Sequence, residues 1–360
     1  MDIFSEIKGL DVSKQHTKFK LLNNCQMLHE KRILESWTRG MVDKDCKMVR
    51  EFQETFHSSF WEFFLFKLFQ DAGFILDQSY QMPDFIIKSP SDMYVEAVVS
   101  NIKDGGRSES KRTLEDQLTM LRPPYMYDKF YEELDESIAR DSNAIHSKIK
   151  KYHESYLKRA WVREDVPFVI AISSYDQVNY GREYIYSMLA LLYGLYFDAN
   201  SEQYYHKDSI IKPGTKESLI QIGLFNNLDY SDISAVIYSC TVTLGKLTSL
   251  SISNNMPSMN TVYIIRRNNI EKNYQLQIVS GDCPEYLEDG VFVFHNPNAK
   301  HKLSEELFSN LHVTQFFFQN GSLDCIGNNT PIVARLNVSK LMLCEITPYV
   351  MEQIRLYNRL

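Results

Sequence analysis

No two of the six cysteines stand in a CxxC pair; Cys25, Cys46, Cys240, Cys283, Cys325 and Cys344 are widely scattered. A zinc ribbon is excluded by that spacing, and a disulfide framework is improbable in a chain of 360 residues. The thiols are expected to be reduced, in the core of a cytoplasmic protein. No apolar run approaches the roughly 18 residues of a membrane helix, and the N-terminus, MDIFSEIKGLDVSK, lacks the apolar core of a signal peptide. No membrane partner is expected. Repeats of 20 to 50 residues and low-complexity tracts are missing too. So are GxxxxGK[ST], HExxH, GxSxG and a GxGxxG placed after a strand, which removes the phosphate-loop, zincin, hydrolase-elbow and dinucleotide readings. Basic residues are the minority, 39 Lys and Arg against 46 Asp and Glu, for a formal charge of -7. Nucleic-acid binding by the whole surface is disfavoured, while a local basic groove stays open.

What the chain has in quantity is aromatic side chains, 22 Tyr and 21 Phe, enough for a large core. The first 75 or so residues read as helical. In Glu51–Phe74, Phe52, Phe56, Phe60, Phe63, Phe64 and Leu68 recur at helical spacing, and Gly73 stands where a C-terminal cap is expected. Strand patterns follow in FILDQS, DFIIK and YVEAVVS, then a polar loop with a short helix over Lys103–Arg122. Tyr127–Arg163 reads as helix, Pro167–Tyr175 as a buried strand, Glu183–Phe197 as a core helix and Ser234–Cys240 as another buried strand. TVYIIRR, YQLQIVS, VFVFHN and TQFFFQN make the C-terminal third strand-rich, extending the sheet or packing beside it. Strands alternating with helices predict an α/β sheet with helices on its faces. The expected organisation is a helical segment over 1–50, a core over 51–240 and a C-terminal extension over 241–360.

Two carboxylates sit where apolar strands would rather have none. Asp84 opens DFIIK and Glu96 lies inside VEAVV. A mid-strand charge between apolar neighbours is costly unless used. On a strand Glu96 and Val98 share a face and Ala97 points away. With Asp84 on the same face, two like charges converge in a low-dielectric setting, and a divalent cation relieves both problems. Hard oxygen ligands suit Mg²⁺ or Mn²⁺. The alternatives are a turn-shaping role for Asp84 and a buried arginine partner for Glu62, on the preceding helix.

A helix glutamate, then Pro-Asp, then a strand glutamate resembles the PD-(D/E)xK nuclease superfamily, the restriction-endonuclease-like fold. The chain is similar to a bacterial group of these proteins marked by five pieces: FHSSFWE (Phe56–Glu62), PDF (Pro83–Phe85), VEAV (Val95–Val98), SKIKKY (Ser147–Tyr152) and HNPNA (His295–Ala299). The resemblance spans about residues 35 to 315. It implies an α/β mixed sheet flanked by helices and metal-dependent hydrolysis of nucleic acid, DNA being the expected substrate. Asp84 and Glu96 would be the metal ligands, Glu62 the helix carboxylate. Val98 departs from the pattern, because the family's lysine two residues after the glutamate is missing. Either the lysine has migrated or catalysis is lost, leaving a nucleic-acid-binding or protein-interaction module. Ala144–Arg163 offers replacements: Lys148 first, Lys151 as the alternate, both on one helical face with Tyr152. Lys150, Lys151 and Arg159 are expected to contact phosphates, although a solvated face is the ordinary reading of such a run. His57 reads as a packed histidine. His295–Asn298 reads as a strand-ending turn. The paired-carboxylate logic of glycosidases also fits a strand pair, but no barrel pattern accompanies it. A homodimer would suit double-strand cutting.

Overall fold

The computed structural model describes residues 1–103 and 105–358; Asp104, in the Lys103–Arg122 segment, and the last two residues of the C-terminal extension lie outside the described residues. The chain opens with α1 (Thr17–Leu22), α2 (Leu28–Trp37), α3 (Met48–Glu54) and α4 (His57–Asp71). Strands β1 (Ile75–Asp77), β2 (Phe85–Ser89) and β3 (Met93–Ser100) follow, then α5 (Leu114–Thr119) and α6 (Phe130–Glu154). Next come β4 (Phe168–Ser174), α7 (Tyr186–Tyr193) and four short strands, β5 (Leu195–Asp198), β6 (Gln203–His206), β7 (Ser209–Ile211) and β8 (Leu219–Gln221). The remainder is β9 (Ile233–Ser239), α8 (Leu244–Ser253), β10 (Asn260–Asn268), β11 (Asn273–Ile278), β12 (Phe292–His295), β13 (Thr314–Gln319), β14 (Ser322–Gly327), β15 (Ile332–Ser339) and α9 (Leu343–Tyr357).

Eight strands form one mixed sheet in the order β1-β2-β3-β4-β9-β12-β13-β14. The centre is parallel, β3 beside β4 and β4 beside β9. These strands read as unbroken apolar runs because both faces are covered. On one face Tyr94, Ile170, Ile172 and Val236 pack with Ile138 and Ile145 of α6 and with α7. On the other, Val95, Ala97, Val169 and Ala171 pack with the aromatic side of α4. Trp61 is tied into that layer by its Nε1–H, which donates to the Ala171 carbonyl at 3.0 Å. The C-terminal third does both things expected of it: β12–β14 extend the sheet, while β11-β10-β15 form a second sheet. Among the described residues, no helix is long and apolar enough to cross a membrane.

Four expectations fail in detail. The aromatic stripe of Glu51–Phe74 is two helices, broken at Phe56, whose φ of 65° lies in the left-handed region. Continuous Phe spacing hid the break because neither Gly nor Pro marks it. The helix expected to run to Arg163 ends at Glu154, so Lys158, Arg159 and Arg163 lie beyond it. The Glu183–Phe197 helix stops at Tyr193, where Gly194 takes φ 74° and Leu195–Asp198 turn into β5. The cysteines are free, but only Cys240 is buried; the other five are exposed rather than core thiols.

Gly73 ends α4 as expected, at φ 76°. Phe74 N–H donates to Phe69 O and Gly73 N–H to Gln70 O, both at 2.9 Å. This is the Schellman arrangement, which needs a left-handed residue at Gly73. It releases the chain into β1 and fixes how α4 sits over the hairpin.

Candidate metal centre

The hairpin β2–β3 pairs Phe85 with Val95, Ile86 with Tyr94 and Ile87 with Met93. Continuing that register by one residue sets Asp84 opposite Glu96, on the face shared with Ile86 and Tyr94. β3 then runs on to Ser100 paired only with β4. The sheet therefore forks at Asp84, leaving the outer side of Val98–Ser100 open. α4 brings Glu62 to the fork from one face and α6 brings Lys148 from the other. A cavity of about 280 Å³ there is lined by Ser58, Glu62, Asp84, Asn101 and Lys148, among others. A second, of about 160 Å³, reaches Glu62 and Asp84 from the side of Lys44, Glu51 and Asp77.

Glu96 is completely buried. Lys148 Nζ donates to its Oε1 at 2.7 Å and Lys151 Nζ to the same oxygen at 3.0 Å. Its Oε2 is buried and meets neither lysine; the Tyr156 hydroxyl, also buried, lies close enough to help hold Glu96 below its ordinary value. Asp84 Oδ2 accepts from the Ala97 N–H at 2.8 Å. Lys44, for which the sequence carried no signal, donates from Nζ to the Asp84 carbonyl at 3.2 Å.

The electrostatics divide the three acids. Burial, then the charges of Asp84 and Glu96, push Glu62 well above the ordinary carboxylate range. Burial and the Glu96 charge raise Asp84 to about 7, against the pull of Lys148. Glu96 goes the other way: burial works to raise it, but Lys148 and Lys151 together hold it below its ordinary value. Lys148 is held above its ordinary value because Glu96 and Asp84 outweigh the burial that would lower it. Burial lowers Lys44, with Asp84 and Glu62 opposing. The fork thus holds one carboxylate drawn down by two lysines and two carboxyls pushed up, beside a lysine held up by their charge.

The fork supplies the carboxylate oxygens that a hard divalent cation prefers, although Glu62, Asp84 and Glu96 do not gather their oxygens within 4.8 Å of one another. Glu96 Oε2 is clear of both lysines and has only the Tyr156 hydroxyl near it, so a carboxylate oxygen with two lone pairs keeps one for a ligand. Burial and mutual repulsion favour the protonated forms of Asp84 and Glu62, and a bound cation would compete with those protons.

Of the residues singled out from sequence, Glu62, Asp84, Glu96, Lys148 and Lys151 meet at the fork. Lys150 does not: it is exposed, 3.8 Å from Glu154, on another face of α6. Arg159 stacks near Trp161 and lines a neighbouring cleft with Tyr80 and Lys44. His295 ends β12, with Nε2 2.9 Å from Gln315 Oε1, and the Asn296 side chain donates to the Ile233 carbonyl at 2.8 Å, so this motif closes a strand away from the fork. Compared with known proteins, the chain matches no family model, no curated protein and no solved structure.

Proposed function

We propose that this protein is a metal-dependent nuclease hydrolysing phosphodiester bonds, with DNA as the expected substrate. The observation that carries the reading is the convergence of Lys148 and Lys151 on Glu96 Oε1, beside Asp84 and with Glu96 Oε2 clear of both lysines. Val98 leaves the family's lysine position empty of charge, and α6 supplies a cation to the same glutamate from another element. Asp84 and Glu96 would hold Mg²⁺ or Mn²⁺, with Glu62 completing the set. Such an ion supplies charge neutralisation and Lewis-acid polarisation of a phosphoryl oxygen. Lys148, kept protonated by Glu96 and Asp84, acts as a fixed charge and hydrogen-bond donor for the developing oxyanion, not as a base. Asp84, raised by burial and by the Glu96 charge to about 7, is the acid whose proton the metal would compete with near neutral pH.

A second reading is a nucleic-acid- or protein-binding module without turnover. It draws on the double lysine engagement, which already neutralises Glu96 within the chain. Labelled DNA and RNA, single- and double-stranded, incubated with Mg²⁺ or Mn²⁺ separate the two. Cleavage by the wild type that is lost in both Glu96→Ala and Lys148→Ala supports the nuclease. Binding without cleavage on every substrate sinks it and favours the module.

A further inference from the structure

A second group of metal-ligating side chains lies about 7.5 Å N-terminal to Glu62 along α4, at five residues' rise. His57 is the first residue of that helix. Glu109 begins the short 3-10 turn Glu109–Lys111, and Asp176 follows the end of β4. One ligand atom from each lies within 4.8 Å of the others. We propose that His57, Glu109 and Asp176 bind one divalent transition-metal ion of the Zn²⁺ class, at a site sharing no residue with the Asp84–Glu96 pair.

His57 is 8% exposed, and its Nδ1 has no hydrogen-bond partner. Nε2 is 3.1 Å from Glu109 Oε1, within reach of that carboxylate. The imidazole stacks on Tyr175, with centroids 4.9 Å apart and planes 9° off parallel, which fixes the direction of both nitrogens. A buried imidazole nitrogen without a partner is costly unless a ligand takes it.

The carboxylates are oriented from outside. Lys18 Nζ holds Glu109 Oε2 at 2.7 Å, leaving Oε1 toward the cluster. Ser108 Oγ donates to Asp176 Oδ1 at 2.9 Å, leaving Oδ2. The two loops are joined by their backbones, Glu109 N–H to Asp176 O at 3.0 Å and Val178 N–H to Arg107 O at 3.1 Å. Such outer partners are what aim metal ligands. Asp176 itself takes φ 62°, a strained conformation of the kind that gathers at functional sites.

The donor types select the ion. One imidazole with two carboxylates suits Zn²⁺ or its Co²⁺ surrogate; a hard ion such as Mg²⁺ prefers oxygen alone. Ligands about 2.0–2.2 Å from a tetrahedral ion lie about 3.3–3.6 Å apart, so the cluster need tighten by only about an ångström. His16 stands edge-on to His57 at 5.1 Å, but its Nδ1 accepts from the Lys18 N–H, which takes it out of the ligand set. Three protein ligands leave a fourth position open. Lys18 and Glu109 also line a cleft of about 490 Å³, which places that position beside a space large enough for a small molecule.

The test is Co²⁺ binding to the chelator-stripped full chain, followed by visible absorption and by displacement with Zn²⁺. Wild type, His57→Gln, Asp176→Asn and Glu96→Gln are compared, with circular dichroism to confirm folding. Wild type should bind a Co²⁺ equivalent that Zn²⁺ displaces. His57→Gln and Asp176→Asn should each weaken that equivalent at least about 10-fold, while Glu96→Gln leaves it unchanged. Asp176, only half-buried, is the variant that decides if His57→Gln misfolds. No Co²⁺ binding by wild type, an unchanged affinity in Asp176→Asn, or loss of the equivalent in Glu96→Gln overturns the assignment. The Glu96→Gln arm keeps this result separate from the fate of the proposed nuclease site.

Discussion

The coupling between Glu96 and Lys148 can be weighed directly. Glu96 is wholly buried and the Lys148 side chain is 18% exposed, 2.7 Å away. Removing one partner of a buried pair costs about 3–5 kcal/mol, because the other charge stays behind unpaired. Lys151 is 44% exposed at 3.0 Å, so it gives Glu96 only partial relief, worth about 0.5–1 kcal/mol at such a screened position. Lys148→Met should therefore cost about 2–4 kcal/mol, and Lys151→Met less than about 1. Glu96→Gln should cost about 2–3 kcal/mol, the lower figure reflecting Asp84, which can ionise and pair with Lys148 once Glu96 is neutral. In Glu96→Gln/Lys148→Met neither orphan remains, so the double variant should recover about 2 kcal/mol relative to the sum of the singles. The assay is urea unfolding at pH 7 with chelator present, so that no divalent ion stands in for a lysine. Unchanged m-values would license the comparison. A coupling below about 0.5 kcal/mol would refute the reasoning, since it would mean that Glu96 is not held as a charge by Lys148.

The pH dependence of the fork has a definite sign. Asp84, raised to about 7, contributes stability below its unfolded value near 3.8 that is lost as pH rises toward 7 and beyond; Glu96, lowered, contributes stability above its ordinary value that is lost in acid. Mn²⁺ should therefore raise the melting temperature more at pH 8 than at pH 5.5, and equal shifts in scanning fluorimetry would count against a metal held by Asp84. Away from the fork, Glu285 is fully buried between Lys246 and Arg335, with Lys246 Nζ 2.9 Å from Oε1. Glu285→Ala should cost about 3–5 kcal/mol in urea, and a loss under 1 would show the pair to be dispensable. Gly73→Ala meets no atom within 4 Å, so its cost, about 1 kcal/mol, is that of the left-handed backbone alone; no change in the denaturation midpoint would contradict the cap.

Much of the architecture could be read before the structure. Parallel strands covered on both faces must be apolar throughout, and FVIAISS and ISAVIYS are legible for that reason. Glu96 was legible for the opposite reason, as a charge that such a strand cannot carry idly. Lys148 followed from the helical period that sets it beside Lys151. Lys44, Glu109 and Asp176 were not legible, since they sit in irregular segments whose meeting is decided by distant strands. The break at Phe56 was hidden by aromatic spacing that both helices share, yet that break is what turns His57 inward at the head of α4. Gly194 was a readable stop inside YSMLALLYGLYF, outweighed by the apolar run around it.

The strand order of the large sheet has a consequence for synthesis. From β1 to β14 the neighbours in space follow the order in which they are made, with no later strand inserted between two already paired. The sheet can thus be laid down from one edge outward as the chain emerges, each new strand docking on a finished border. Every residue of the fork, from Lys44 to Lys151, is translated before β4 is complete. The carboxylates at the fork are therefore assembled early and sealed later, and until α6 docks they face water, where their charges are cheap to keep.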